Sequence, residues 1–246
     1  QYAYQKSEGT RYGEFYGYIA EGYFQSEEEI KKSPRQMREL APGDIKYKDL
    51  NDDGVIDAND QCYLGKSWFP SWSYGMGFNI NYHNFDLALF FQGVSDVSIM
   101  ANGGSIDTGN GDWGASGVGI VPFTGMGLNP SNVITKALDR WTADNPRADA
   151  WYPRMTANAT TNDNNYVNST HWLKDGSYLR LKQASLGYTL ENKKLMDKGI
   201  EYLYFYLSGQ NLLTFSKFKL WDPELGSNGA KYPLSRMVTL GMRVSF

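Results

Sequence analysis

From Leu234 to Phe246 the chain alternates almost without error. Val238, Leu240, Met242, Val244 and Phe246 share one parity, and Thr239, Gly241, Arg243 and Ser245 share the other. A side-chain period of two predicts a strand with one apolar face and one polar or tiny face. The pattern recurs upstream. Ser73–Tyr82 sets Tyr74, Met76, Phe78, Ile80 and Tyr82 against Ser73, Gly75, Gly77, Asn79 and Asn81. After His83-Asn84, the run to Gly93 sets Phe85, Leu87, Leu89 and Phe91 against Asp86, Ala88 and Gln92, with Phe90 as an exception. These two runs read as a hairpin with a very short turn. Tyr202–Gln210 sets Leu203, Phe205 and Leu207 against Tyr202, Tyr204, Tyr206 and Ser208. Ser177–Leu190 changes phase, because Leu179 and Leu181 oppose the parity of Ala184, Leu186, Tyr188 and Leu190. That slip predicts a bulge near Lys182-Gln183, or an upper half lying outside the apolar band.

The connections fall into two lengths. Short ones sit at His83-Asn84 and around Asn192–Gly199. Long ones run from about Tyr12 to Pro70, from Val94 to Gly176, and from Ser216 to Pro233. Alternation of short turns and long loops is the habit of a transmembrane antiparallel β-barrel. Compact soluble sandwiches rarely use connections beyond ~12–15 residues. Trp72, Tyr74, Tyr82, Tyr178, Tyr188 and Tyr202 lie near strand ends, as interfacial girdles require. The soluble alternative puts the same rings at the edge of a core. On the barrel reading Phe205 sits near mid-bilayer and Ser208 faces the lumen. Five strands are too few to close a barrel, for which about eight is the minimum. The fold class expected is therefore all-β, the C-terminal strands of a larger barrel.

Composition narrows this further. The 246 residues include 18 Tyr, 12 Phe, 7 Trp and 26 Gly, which favours strands and turns over helix. A net charge of −3 gives no basic footprint for nucleic acid. Cys62 is the single cysteine, so it has no partner for a disulfide or a thiolate metal site and reads as an incidental thiol. No apolar run approaches the ~20 residues of a spanning helix, which says nothing about barrel strands.

Asp49-Leu-Asn51-Asp-Asp53-Gly54-Val55-Ile56-Asp57-Ala-Asn-Asp60 has the spacing of a calcium loop. Gly54 permits the sharp turn that lets side-chain oxygens of Asp49, Asn51 and Asp53 converge. The Val55 carbonyl, Asp57 and Asp60 complete the candidate Ca2+ ligands. Aspartate at the last position is shorter than the usual glutamate, which lowers the expected affinity. The competing reading is an Asx-rich turn that caps its own backbone without metal. Ser26-Glu-Glu-Glu29 reads as a capping box opening a helix to about Leu40. His83 and His171 read as turn and loop residues. Trp113, Trp141, Trp151 and Trp172 fall in the long loop, where indole faces either stack on substrate or build a small loop core. Trp113, Trp151 and Trp172 are the substrate-binding candidates.

Several stretches in order resemble the SusC/RagA family of TonB-dependent outer-membrane transporters. They are Gly43-Asp-Ile-Lys-Tyr-Lys-Asp-Leu-Asn-Asp-Asp-Gly-Val-Ile-Asp57, Phe85-Asp-Leu-Ala-Leu-Phe-Phe-Gln-Gly93, Arg140-Trp-Thr142 with Asn145-Pro146, and Asp175-Gly-Ser-Tyr-Leu-Arg-Leu-Lys182 with Leu186-Gly-Tyr-Thr-Leu190. Ser208-Gly-Gln-Asn-Leu-Leu-Thr214, Asp222-Pro-Glu224 and the Tyr232-Pro233…Phe246 ending complete the set. The likeness runs from about Glu14 onward and skips residues 103–127 and 156–169. It implies a 22-stranded barrel with an N-terminal plug, of which residues 1–246 resemble only the C-terminal part, with plug and earlier strands absent. Residues 11–70 and 94–176 are then extracellular loops in the outer membrane of a Gram-negative bacterium, and Trp141 reads as loop core. Further implications are import of oligosaccharides or peptides, a SusD-like lipoprotein lid, work from TonB through the missing N-terminal region, and Phe246 as the assembly signal. No covalent chemistry, and so no enzyme, is expected. The alternative from another class is a secreted or surface β-rich glycan-binding protein or adhesin with a calcium-stapled loop.

Overall fold

The computed structural model describes residues 2–102, 135–155, 164–227, 229 and 232–246. In chain order the strands are β1 (Glu14–Gly17), β2 (Ala20–Tyr23), β3 (Ile45–Tyr47), β4 (Cys62–Ser67), β5 (Trp72–Tyr82), β6 (Phe85–Ser95), β7 (Ser98–Met100), β8 (Leu173–Asp175), β9 (Tyr178–Leu190), β10 (Tyr202–Ser216) and β11 (Met237–Ser245). Helix α1 spans Glu27–Lys32 and α2 spans Lys193–Met196. Two compact units result. A loop module comprises Gln1–Phe69, Ser98–Asp175 and Glu224–Lys231, and a sheet unit comprises Pro70–Val97, Gly176–Pro223 and Tyr232–Phe246.

The sheet unit is one antiparallel sheet in the order β11-β10-β9-β6-β5, the meander expected from the connection lengths. β5 and β11 are its edges. His83, at φ 52, makes the two-residue connection that pairs Tyr82 with Phe85. The phase slip in β9 is a bulge: Phe90 pairs with Gln183 and Phe91 with Leu181, leaving Lys182 as the extra residue. Leu179 and Leu181 thereby stay on the apolar face, so the upper half of β9 does not leave the band. On β10 the opposite adjustment falls between Gln210 and Leu213, where Asn211 adopts φ 53.

The loop module is built from three small pairings, β1 with β4, β2 with β3 and β7 with β8. Phe24, Ile45, Tyr47, Ile56, Ile99, Met100, Tyr152 and Trp172 are its fully buried large side chains. Helix α1 opens as expected, with the Glu29 amide donating to Ser26 Oγ at 3.2 Å. It stops at Lys32, not near Leu40. Ser33 precedes Pro34, whose ring forbids the helical conformation to the residue before it, and Ser33 sits at φ −93, ψ 160. Gly43 is fixed by two needs at once. Its φ is +92, and a Cβ there would collide with the Trp141 ring.

Candidate functional site

Pairing register arranges the apolar side chains of the sheet unit in rows that cross the strands. From the end bearing the long connections, the first is Tyr74–Gly93–Leu179–Phe215 and the second Met76–Phe91–Leu181–Leu213. Then follow Phe78–Leu89–Ala184–Gly209–Val238, Ile80–Leu87–Leu186–Leu207–Leu240 and Tyr82–Phe85–Tyr188–Phe205–Met242. With Leu190–Leu203–Val244 beyond them, these rows span roughly 33 Å along a strand, or about 25 Å of height at a ~40° tilt, matching the ~25 Å apolar band of an outer-membrane barrel. Rings gather toward both ends of the rows, Tyr74 and Phe215 above and Tyr82, Phe85, Tyr188 and Phe205 below. Phe205 thus shares the fifth row, one short of Leu190–Leu203–Val244, and Leu89 occupies the third. The face has no cover within the sheet unit, and Leu240 is 79% exposed.

The opposite face is polar. Tyr204 Oη donates to Asp86 Oδ2 at 2.9 Å, Tyr206 stacks on Tyr204, and the Arg243 guanidinium lies 5.9 Å from the Tyr204 ring. Gly187 and Gly241 leave the space these rings occupy: a Cβ at Gly187 would meet Tyr204 and Asp86, and one at Gly241 would meet Tyr206. Arg180, almost fully buried, pairs with Asp222 near the other end.

The loop module is held by a buried polar network that the sequence did not reveal. The fully buried Asp44 faces Arg154 through both oxygens, at 2.7 Å to Nε and 3.0 Å to Nη2. Asn165 Nδ2 and the Ala41 amide donate to the same carboxylate at 2.8 and 2.9 Å. Gln36 donates to the Ile45 carbonyl and to Asn164 Oδ1, and accepts from the Tyr47 amide. Arg154, Asn164 and Asn165 each lie more than a hundred positions from their partners at Gln36 and Asp44, so no local pattern signals them. A buried carboxylate is tolerated only when paired and hydrogen-bonded, and this one is both.

The acidic turn closes on its own backbone. Asp49 accepts from the amides of Asp52 and Gly54 at 2.7 and 2.8 Å, Asn51 from Asp53 at 3.1 Å, and Asp53 from Val55 at 2.9 Å. Asp57 accepts from Asn59, and the buried Asp60 accepts from Leu50 and Asp57 at 2.8 Å each. Desolvation works against ionisation of Asp49, but the Gly54 and Asp52 amides outweigh it and hold this carboxyl below the usual carboxylate range. Among the described residues, no group of three or more His, Cys, Asp or Glu side chains converges as a metal cluster.

The tryptophans divide. Trp172 is fully buried, donates Nε1–H to the Asn165 carbonyl at 2.7 Å and stacks on Tyr166. Its ring has no face left for a substrate, which corrects the binding expectation in favour of the loop-core alternative. Trp141 is core as well. Trp151 is half-buried, and Trp113 lies outside the described residues.

His171 sits between the Tyr23 hydroxyl and the Trp151 carbonyl. Burial, reinforced by Lys174, lowers its pKa from 6.5 to about 4 despite the Trp151 carbonyl. The unfolded chain then binds a proton that the folded module refuses. This contribution to stability is whole above pH 6.5 and fades as pH falls toward 4, by about 3 kcal/mol. Tryptophan-monitored unfolding at pH 7 and pH 4 should show that loss, and His171→Asn should show a shallower pH dependence. A pH response unaltered by the substitution would discard His171 as its source.

No protein-family model matches the chain. Among curated proteins it is 30% identical over 241 residues to TonB-dependent receptor P26 of Formosa agariphila, covering 92% of this chain and 22% of that receptor. It is 28% identical over 255 residues to TonB-dependent receptor P3 of the same organism, covering 97% of this chain and 22% of that receptor.

This chain is part of a TonB-dependent receptor.

The segment spans about a fifth of the length of these relatives. Structures of the RagAB peptide importer share its fold. The "open-open" state gives a TM-score of 0.62 at 23% identity, and the "closed-closed" state 0.60 at 22%, each over 95% of this chain and 22–23% of the larger one. At that identity the likeness is one of fold. TonB-dependent receptors are outer-membrane β-barrels, so the exposed apolar rows of the sheet unit face lipid and the Asp86–Tyr204–Tyr206 side faces the lumen. The receptor family resolves the choice between membrane barrel and soluble sheet in favour of the barrel.

Proposed function

We propose that the full receptor carrying this segment imports oligosaccharides or peptides across the outer membrane, energised by TonB and assisted by a SusD-like surface lipoprotein. The identity with TonB-dependent receptor P26 over 92% of the chain carries this reading, and the fold likeness to the RagAB peptide importer supports it. In this reading the segment contributes structure and capture rather than covalent chemistry. Lipid-facing rows seat the barrel, the polar face lines the path, and the loop module presents a packed extracellular surface. Uptake of labelled peptides and oligosaccharides by cells with and without the full receptor tests it. Receptor-dependent uptake that collapses with the proton gradient is expected, together with co-purification of a surface lipoprotein. Uptake indifferent to the gradient would remove TonB from the account.

The same reading extends to the acidic turn. Asp49, Asn51, Asp53, the Val55 carbonyl, Asp57 and Asp60 are the oxygens we assign to a calcium ion. Their backbone bonds already shape the turn, so the ion adds rigidity to a formed loop. Titration calorimetry should detect binding with Kd near ~10⁻⁴–10⁻³ M, the range of extracellular modules. Absence of heat at millimolar calcium would leave the turn metal-free.

A further inference from the structure

Two lysines converge on Trp151 inside the loop module. Lys174 Nζ lies 5.3 Å and Lys136 Nζ 5.9 Å from the centre of its ring. The ring is also flanked by Tyr152 and Trp172, with centroids at 4.5 and 5.5 Å. Lys136 is neutralised by Asp139 at 2.8 Å, and Asp139 is shared with Arg147 at 3.1 Å. Lys174 differs. It gives one N–H to the His171 carbonyl at 2.6 Å and has no carboxylate partner among the described residues. A half-buried ammonium facing only a carbonyl and an indole loses hydration without recovering an ion pair. Burial, with Lys136 adding to it, pushes the Lys174 pKa down.

We propose that Lys174, with Lys136 beside it on Trp151, is the docking point for a carboxylate group carried by the receptor's cargo. The proposal rests on the import reading above and names the chemistry of what is imported. Two N–H donors of Lys174 remain to bind carboxylate oxygens, in the charge-assisted bonds that are the strong ones. Trp151 is not an open platform for a sugar ring, since ammonium groups and neighbouring rings already surround it. What the site recognises is charge. An acidic peptide and an oligouronate both supply it.

The test is calorimetry on the full-length receptor in detergent, with pentaglutamate and tetragalacturonate as probes and pentaglutamine and a neutral tetrasaccharide as controls. At least one acidic oligomer should bind roughly tenfold or more tightly than its neutral counterpart, and the one that binds identifies the source of the carboxylate. Lys174→Met should weaken that binding at least about tenfold, Lys136→Met less, and Lys174→Arg little. The thermal midpoint of Lys174→Met should hold or rise, because the change removes a half-buried charge lacking a counter-ion. A lysine with only a structural part would lower the midpoint and leave binding unchanged. Failure of both acidic probes, or equal binding by wild type and Lys174→Met, overturns the proposal. Energised uptake of neutral oligomers alongside such a failure would leave the import reading standing.

Discussion

Leu89→Arg is expected to destabilise the assembled receptor by about 2–4 kcal/mol, whereas Ser208→Arg should cost about 1 kcal/mol or less. Leu89 belongs to the third row, with Phe78, Ala184, Gly209 and Val238, and Ser208 lies one residue off that row on the opposite face. The guanidinium at Leu89 must enter hydrocarbon or draw water toward mid-bilayer, while at Ser208 it enters a polar lumen. Phe205→Lys supplies the depth control. Its row, next to the last, predicts a smaller cost, between the ~2–4 kcal/mol of the midplane and the ~0–1 kcal/mol of the interface. Urea unfolding of the receptor in vesicles measures all three. Equal costs at Leu89 and Ser208 would reverse the assignment of faces, and a Phe205 penalty as large as that of Leu89 would erase the difference in depth between their rows.

Asp44→Ala should cost the loop module about 3 kcal/mol, the low end for a buried pair, because it leaves the partly buried Arg154 guanidinium without its counter-charge. The loss also frees the Asn165 amide and the Ala41 N–H that Asp44 now satisfies. Asp44→Asn keeps one acceptor and should fall between the two. Limited proteolysis reads the outcome: new cleavages within residues 2–69 and 135–175 are expected while the heat-modifiable barrel band persists. Wild-type protease resistance in Asp44→Ala would show that the pair adds little to the module.

Legibility in the sequence followed locality. β5, β6, β10 and β11 were readable because a period of two survives in any strand whose faces meet different solvents. Even the β9 bulge at Lys182 announced itself, as a change of phase between Leu181 and Ala184. Depth was not readable: only pairing with Tyr188 and Met242 assigns Phe205 its row, next to the last. Charged residues continue past Lys32 and prolong the apparent helix, but Pro34 ends it there. The module's interior stayed hidden for a different reason. Trp172 and Asp44 acquire their roles from residues far along the chain, and indole or carboxylate side chains look alike in sequence whether buried or displayed.

The loop module draws its interior from three separated stretches, with the β5–β6 and β9–β10 hairpins intervening. Tyr23 reaches the Ala150 carbonyl across 127 positions, and the Met100 amide reaches Ser227 across another 127. Such a body cannot mature while the nascent polypeptide is still being extruded. It must wait until Ser227 has been delivered, leaving Phe24, Tyr152 and Trp172 uncovered until then. That delay is the interval in which the module's interior is most open to aggregation.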